Sequence, residues 1–130
     1  MIKHLVCSGS LAALLLASAG LSAHHGPGAY DRSASVTVTG TVTRFDFVNP
    51  HVLIYITATD ADGREVAWSG ELTSPNRLAR SGGGVAWHKS LLEPGDVVTL
   101  TGNPARNGAP VLLLNRVEDG AGTLLTGTGR

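Results

Sequence analysis

The chain has 130 residues, with ten Lys and Arg against ten Asp and Glu, one cysteine and 5% aromatic residues. Balanced charge without a basic run removes the electrostatic footprint expected of nucleic-acid or acidic-membrane binding, and so few aromatics leave no surface for stacking bases. One cysteine excludes an internal disulfide, a CxxC redox pair and a c-type haem attachment.

The first residues follow the order of an export signal. Lys3 and His4 form a polar start, Leu5 to Ala17 is an apolar run broken by Cys7 to Ser10, and small residues follow from Ser18 to Ala23. The run is too short to span a bilayer, so residues 1–23 are read as a signal peptide and the product as a soluble periplasmic protein, with no membrane insertion after cleavage. Ala17-Ser18-Ala19 is also a cleavage match and Gly20-Leu21-Ser22 a poor one, but Leu21-Ser22-Ala23 leaves a c-region of ordinary length. Removing 23 residues from 130 leaves 107, the size of one small domain. Lys3 and Cys7 depart with the signal, leaving nine basic groups against ten acidic and no thiol.

Residues 24–34 are read as a mature N-terminal segment, residues 35–118 as the folded domain and residues 119–130 as a flexible tail. In Ser35 to Phe47, Val36, Val38 and Val42 share one face with Gly40 between them. The apolar phase then slips to Phe45 and Phe47, which predicts a bulge or bend in one long strand. Asn49-Pro50 interrupts pairing, because proline has no N–H to donate. His51 to Thr59 predicts a second strand with Val52, Ile54, Ile56 and Ala58 on one face. Asp60-Ala61-Asp62-Gly63 is a turn, and Arg64 to Leu72 returns as a third strand. Ser74-Pro75 predicts an N-cap and first helical residue, with a short helix to Arg80 ended by Gly82-Gly83-Gly84. Trp87 to Leu92 is read as a further helical turn. Val97 to Gly102 and Val111 to Val117 complete the strands, and Leu124-Leu125 is a place for brief pairing. Five strands, the first long and bent, with a short helix between the third and fourth, predict an all-β, OB-like barrel; a sandwich is the competitor.

Several stretches resemble a family of small exported bacterial proteins known as a domain of unknown function. They are "AHH" at 23–25, "TGTVTRFDFVNPH" at 39–51, "TSPNRL" at 73–78 and "LLEPGDVVTLTGNPARNG" at 91–108, with Trp68 and Trp87 between them. The resemblance spans roughly residues 23 to 117. It implies a periplasmic location and a small β-domain, and it supplies no activity. The chain departs from the pattern at Leu53, where an aromatic is usual, and at "GGGVAWHK", where a glycine–tryptophan step is usual.

His24, His25 and His51 are the candidate metal ligands. Cleavage after Ala23 would place an α-amine beside two imidazoles, a nitrogen set suited to Cu(II). Cleavage after Ser22 gives Ala23-His24-His25, an amino-terminal Xaa-Xaa-His arrangement, whereas cleavage after Ala19 separates the amine from the pair. The plain alternative is a polar pair that marks the mature start. His51 is either a third imidazole at the barrel rim or a turn residue bonding a loop carbonyl. Glu71 is read as a solvated strand-end carboxylate unless His51 meets it across the barrel mouth, and His88 as a surface residue. Asp60, Asp62, Gly63 and Glu71 lack the spacing of a calcium loop. No nucleophile elbow, phosphate loop or paired-histidine zinc helix is present, so no catalytic residue is assigned. The expected function is a periplasmic module binding a small ligand, a metal ion or an envelope protein, with copper as the candidate cofactor. Its alternatives are a metal-free interaction module and, third, a copper-dependent oxidase.

Overall fold

Alternation of β-branched and polar residues carries β1 (Val36–Asp46) through the computed structural model, which describes residues 26–80 and 85–126. The N-terminal half of β1 pairs antiparallel with β4 (Val97–Pro104), from Val36 opposite Gly102 to Thr41 opposite Val97. Its C-terminal half pairs with β2 (Leu53–Thr59), and the register shifts between Val42 and Arg44. That shift is the bulge predicted from the slipped apolar phase. An extra residue turns Phe45 toward the core side, where it packs against the buried cluster. Gly40 allows the two pairings to share one strand, because a Cβ there would lie 2.5 Å from the Thr57 carbonyl oxygen.

β2 and β3 (Glu65–Glu71) form the predicted hairpin, registered from Thr59 opposite Glu65 to Leu53 opposite Glu71. The barrel closes where β3 runs parallel to β5 (Val111–Asp119), with Ser69, Gly70 and Glu71 opposite Val111, Leu112 and Leu113. β4 and β5 are antiparallel neighbours, giving the order β3-β2-β1-β4-β5 and closure back to β3. This is the OB-type barrel expected from the sequence. Its interior holds Val42, Val52, Ile54, Ile56, Val98, Leu100, Leu112 and Val117, all essentially without solvent contact. The alternating faces of the strands account for this set, since each contributes every second side chain.

Between β3 and β4 lies α1 (Pro75–Arg80), where the N–H groups of Arg77 and Leu78 donate to the Ser74 carbonyl. Leu78, Trp87 and Leu92 join the core cluster. The second helical turn expected at Trp87 to Leu92 is a single hydrogen-bonded turn, Leu91 N–H to the His88 carbonyl. Pro94 and Gly95, the latter at φ 100°, turn the chain into β4 before a helix can propagate. The tri-glycine loop lies outside the described residues.

In the tail, read as flexible with a place for brief pairing at Leu124-Leu125, that pairing is present as β6 (Leu124–Thr126), antiparallel with β5. Leu125 is buried, and its carbonyl accepts the Trp87 indole N–H at 3.1 Å. Asp119 closes the turn by accepting the N–H groups of Ala121 and Thr123, and the Thr123 N–H above all holds its carboxyl below the ordinary range. One buried leucine with a tryptophan partner outweighs the low strand preference of its neighbours.

Candidate functional site

The register of the hairpin builds the site. Val52 accepts from the Leu72 N–H and donates to the Thr73 carbonyl, so the ladder continues one step beyond β2 and β3. Val52 and Leu72 point into the barrel and are buried. Strand alternation then puts His51, Leu53, Glu71 and Thr73 on the outer face, with His51 diagonal to Glu71. Long side chains reach across that diagonal, and His51 Nδ1 lies 2.6 Å from Glu71 Oε1. A carboxylate can only accept, so Nδ1 carries the proton and Nε2 is the nitrogen left for anything else. His51 is 52% exposed and Glu71 18%.

The other Glu71 oxygen is held from a distant segment. Tyr30 donates its hydroxyl to Glu71 Oε2 at 3.0 Å. Tyr30 is only 2% exposed and pairs as an isolated antiparallel bridge with Ala105, just past the end of β4. Its backbone neighbours are fixed too. Asp31 N–H donates to the Pro104 carbonyl at 2.8 Å, Arg106 N–H to the Ala29 carbonyl at 2.9 Å, and the Asn103 amide to the Ala34 carbonyl at 2.7 Å. Burial first, then the Glu71 hydrogen bond and charge, push the Tyr30 pKa far above its ordinary value. Tyr30 therefore acts as a neutral donor that docks the N-terminal segment on the barrel.

Around this cluster opens a cleft of about 440 Å³, lined by Tyr30, Arg32, His51, Glu71, Thr73 and Arg77 above Leu72, Leu113 and Leu114. A larger hollow of about 780 Å³ lies on the far side of Arg32. Several of its polar groups pair with one another: Thr37 with Thr101, Asn103 with the Ala34 carbonyl, and Arg116 with Glu118. The smaller cleft combines an apolar floor with convergent charged groups, the usual make-up of a ligand site.

Of the residues singled out in the sequence, His51 and Glu71 come together, by way of the carboxylate and not a loop carbonyl. His88 is exposed and its Nδ1 accepts the Ser90 N–H at 3.3 Å, away from the cleft. His24 and His25 lie outside the described residues. Among the described residues no group of three or more His, Cys, Asp or Glu could hold a metal ion, so His51 needs ligands from elsewhere to form one. No helix among them is long and apolar enough to cross a membrane. The sequence reading missed Tyr30, Arg32 and Arg77. Only Tyr30 left a signal, as a lone aromatic in a glycine-rich polar stretch.

Fold and cleft together define an OB-type β-barrel domain with a ligand-sized recess at its rim. The chain belongs to DUF6152, a family of unknown function whose profile matches residues 12–113. Among solved structures it is similar to the mitochondrial single-stranded DNA binding protein Rim1 of S. cerevisiae, at 11% identity and a TM-score of 0.47, covering 73% of this chain and 96% of that one. It is also similar to a chain of the S. pombe Stn1–Ten1 complex, at 14% identity and a TM-score of 0.45, covering 65% of this chain and 57% of that one. Likenesses this distant say nothing about what this chain binds. No curated protein matches it.

Proposed function

We propose that the protein is an exported, non-catalytic binding module that takes up Cu(II) through His24 and His25, with His51 as the completing imidazole. The observation that carries this reading is the shared carboxylate of Glu71. It holds Nδ1 of His51, which leaves Nε2 as a donor, and it anchors Tyr30, five residues beyond His25. A carboxylate behind a histidine is the arrangement that fixes tautomer and raises ligand basicity in metal sites. Five residues reach at most about 17 Å when extended, so a His pair tethered at Tyr30 lies within range of the rim. An α-amine and imidazoles suit the tetragonal preference of Cu(II).

The test is native mass spectrometry of protein purified from the periplasm without an N-terminal tag, given one equivalent of Cu(II) under a competing chelator. A chain beginning at His24 or Ala23 that keeps one copper supports the reading. H24A/H25A should lose it, and Glu71→Gln should weaken retention about tenfold through the loosened His51. Unchanged uptake in the double variant, or a mature chain beginning at Gly20, would overturn it.

A further inference from the structure

We propose that the rim cleft is the seat of a small organic carboxylate, clamped by Arg32 and Arg77 over an apolar floor whose partly exposed leucine is Leu113. This goes beyond the copper reading and uses different side chains.

The two arginines combine the lack of a partner with a place in the cleft. Arg44, Arg64, Arg106 and Arg116 each pair with a carboxylate, at Asp46, Asp60 and Asp62, Asp31, and Glu118 respectively. Arg32, Arg77 and Arg80 have no carboxylate partner among the described residues, and of these three Arg32 and Arg77 line the cleft. Both rise from fixed backbone. Arg32 follows the docked Tyr30–Asp31 step, and Arg77 precedes Leu78, whose burial pins α1. Glu71, the nearby acid, has one oxygen bonded to Tyr30 and the other to His51, and it forms no ion pair with Arg32 or Arg77 among the described residues. Two guanidinium cations against one carboxylate leave the cleft cationic.

Four features narrow the occupant. Guanidinium groups present planar forks that match a carboxylate. A surplus of one positive charge beside a fixed carboxylate suits a monoanion better than a phosphate dianion. The leucine floor asks for an apolar body, and about 440 Å³ admits a small molecule but not a folded chain. No exposed aromatic lines the cleft, which removes the stacking platform a nucleobase would use.

The experiment is an NMR titration of the ¹⁵N-labelled mature protein, stripped of metal, so that failure of the copper reading leaves this one standing. The probes are octanoate, octanol and octylamine. Octanoate should give saturable shifts at Tyr30, Leu72, Thr73 and Leu113, while octanol binds more weakly and octylamine not at all. Arg32→Gln and Arg77→Gln should each weaken octanoate about fivefold, the scale of a partly exposed ion pair. Octanol binding as well as octanoate, octanoate unaffected by the double substitution, shifts mapping elsewhere, or no saturation at millimolar octanoate would each overturn the proposal.

Discussion

Two clusters of charged groups on this barrel look alike in composition and differ in construction. At the β2–β3 turn, Asp60 accepts the N–H groups of Asp62 and Arg64 at 2.9 Å each, and Arg64 pairs with both aspartates at 3.2 and 2.8 Å. Every partner lies within five residues, and the Arg64 side chain is 73% exposed. At the rim, Tyr30 and Glu71 meet across 41 residues, Tyr30 is almost wholly buried, and an exposed imidazole completes the set. The turn cluster is what an Asp-Gly hairpin makes of its own backbone needs. The rim cluster takes three separate chain segments and leaves one face open. The count of polar contacts does not distinguish them; desolvation and convergence do.

The largest expected effect falls on the buried member of the rim. Tyr30→Ala should cost about 3 kcal/mol or more in urea unfolding, the scale for truncating a buried aromatic. A loss below about 1 kcal/mol would mean that the docked segment contributes little and that the contrast with the turn is one of appearance. Alkaline pH sharpens the same point. The folded state holds the Tyr30 pKa well above the ordinary value of 10.0, chiefly by burial and then through Glu71. Its stabilisation is therefore fully present below about pH 10 and is lost as pH rises above that value, by up to about 1.4 kcal/mol per pH unit. Tyr30→Phe has no such proton to lose, so its stability should fall less between about pH 9 and 11 than that of the unaltered chain. Equal slopes would detach the hydroxyl from the fold.

Strand faces and breaks were legible because they are local. Val52, Ile54 and Ile56 alternate with outward residues, Thr43 sits where the apolar phase of β1 slips, and Ser74-Pro75 opens α1. His51 and Glu71 were legible one at a time, as polar groups at strand ends, but their meeting depends on a ladder step beyond the hairpin. The docking of Tyr30 and Arg32 was not legible, since nothing in a chain 40 residues distant says which strand end an N-terminal segment will dock on, and Arg77 read only as one polar residue of a short helix. β6 was nearly hidden for a related reason. Its stability comes from Trp87, which hydrogen-bonds Leu125 from 38 residues away.

The smallest expected effect belongs to the turn. Arg64 is a mostly exposed cation whose two ion pairs trade hydration for attraction in high dielectric, and each long side chain loses rotamer freedom when held. Removing it leaves Asp60 still accepting the Asp62 and Arg64 backbone N–H groups, because those bonds do not involve the guanidinium. Gly63, at φ 80°, keeps the turn conformation that an L side chain would strain. Arg64→Ala should therefore shift stability by less than about 0.5 kcal/mol, and added salt should shrink even that. A cost approaching that of Tyr30→Ala in the same urea series would make the local cluster the true anchor of the hairpin. The β2–β3 pairing that presents His51 and Glu71 would then be held from its far end, and the Tyr30–Glu71 bond would matter for the docking of the N-terminal segment alone.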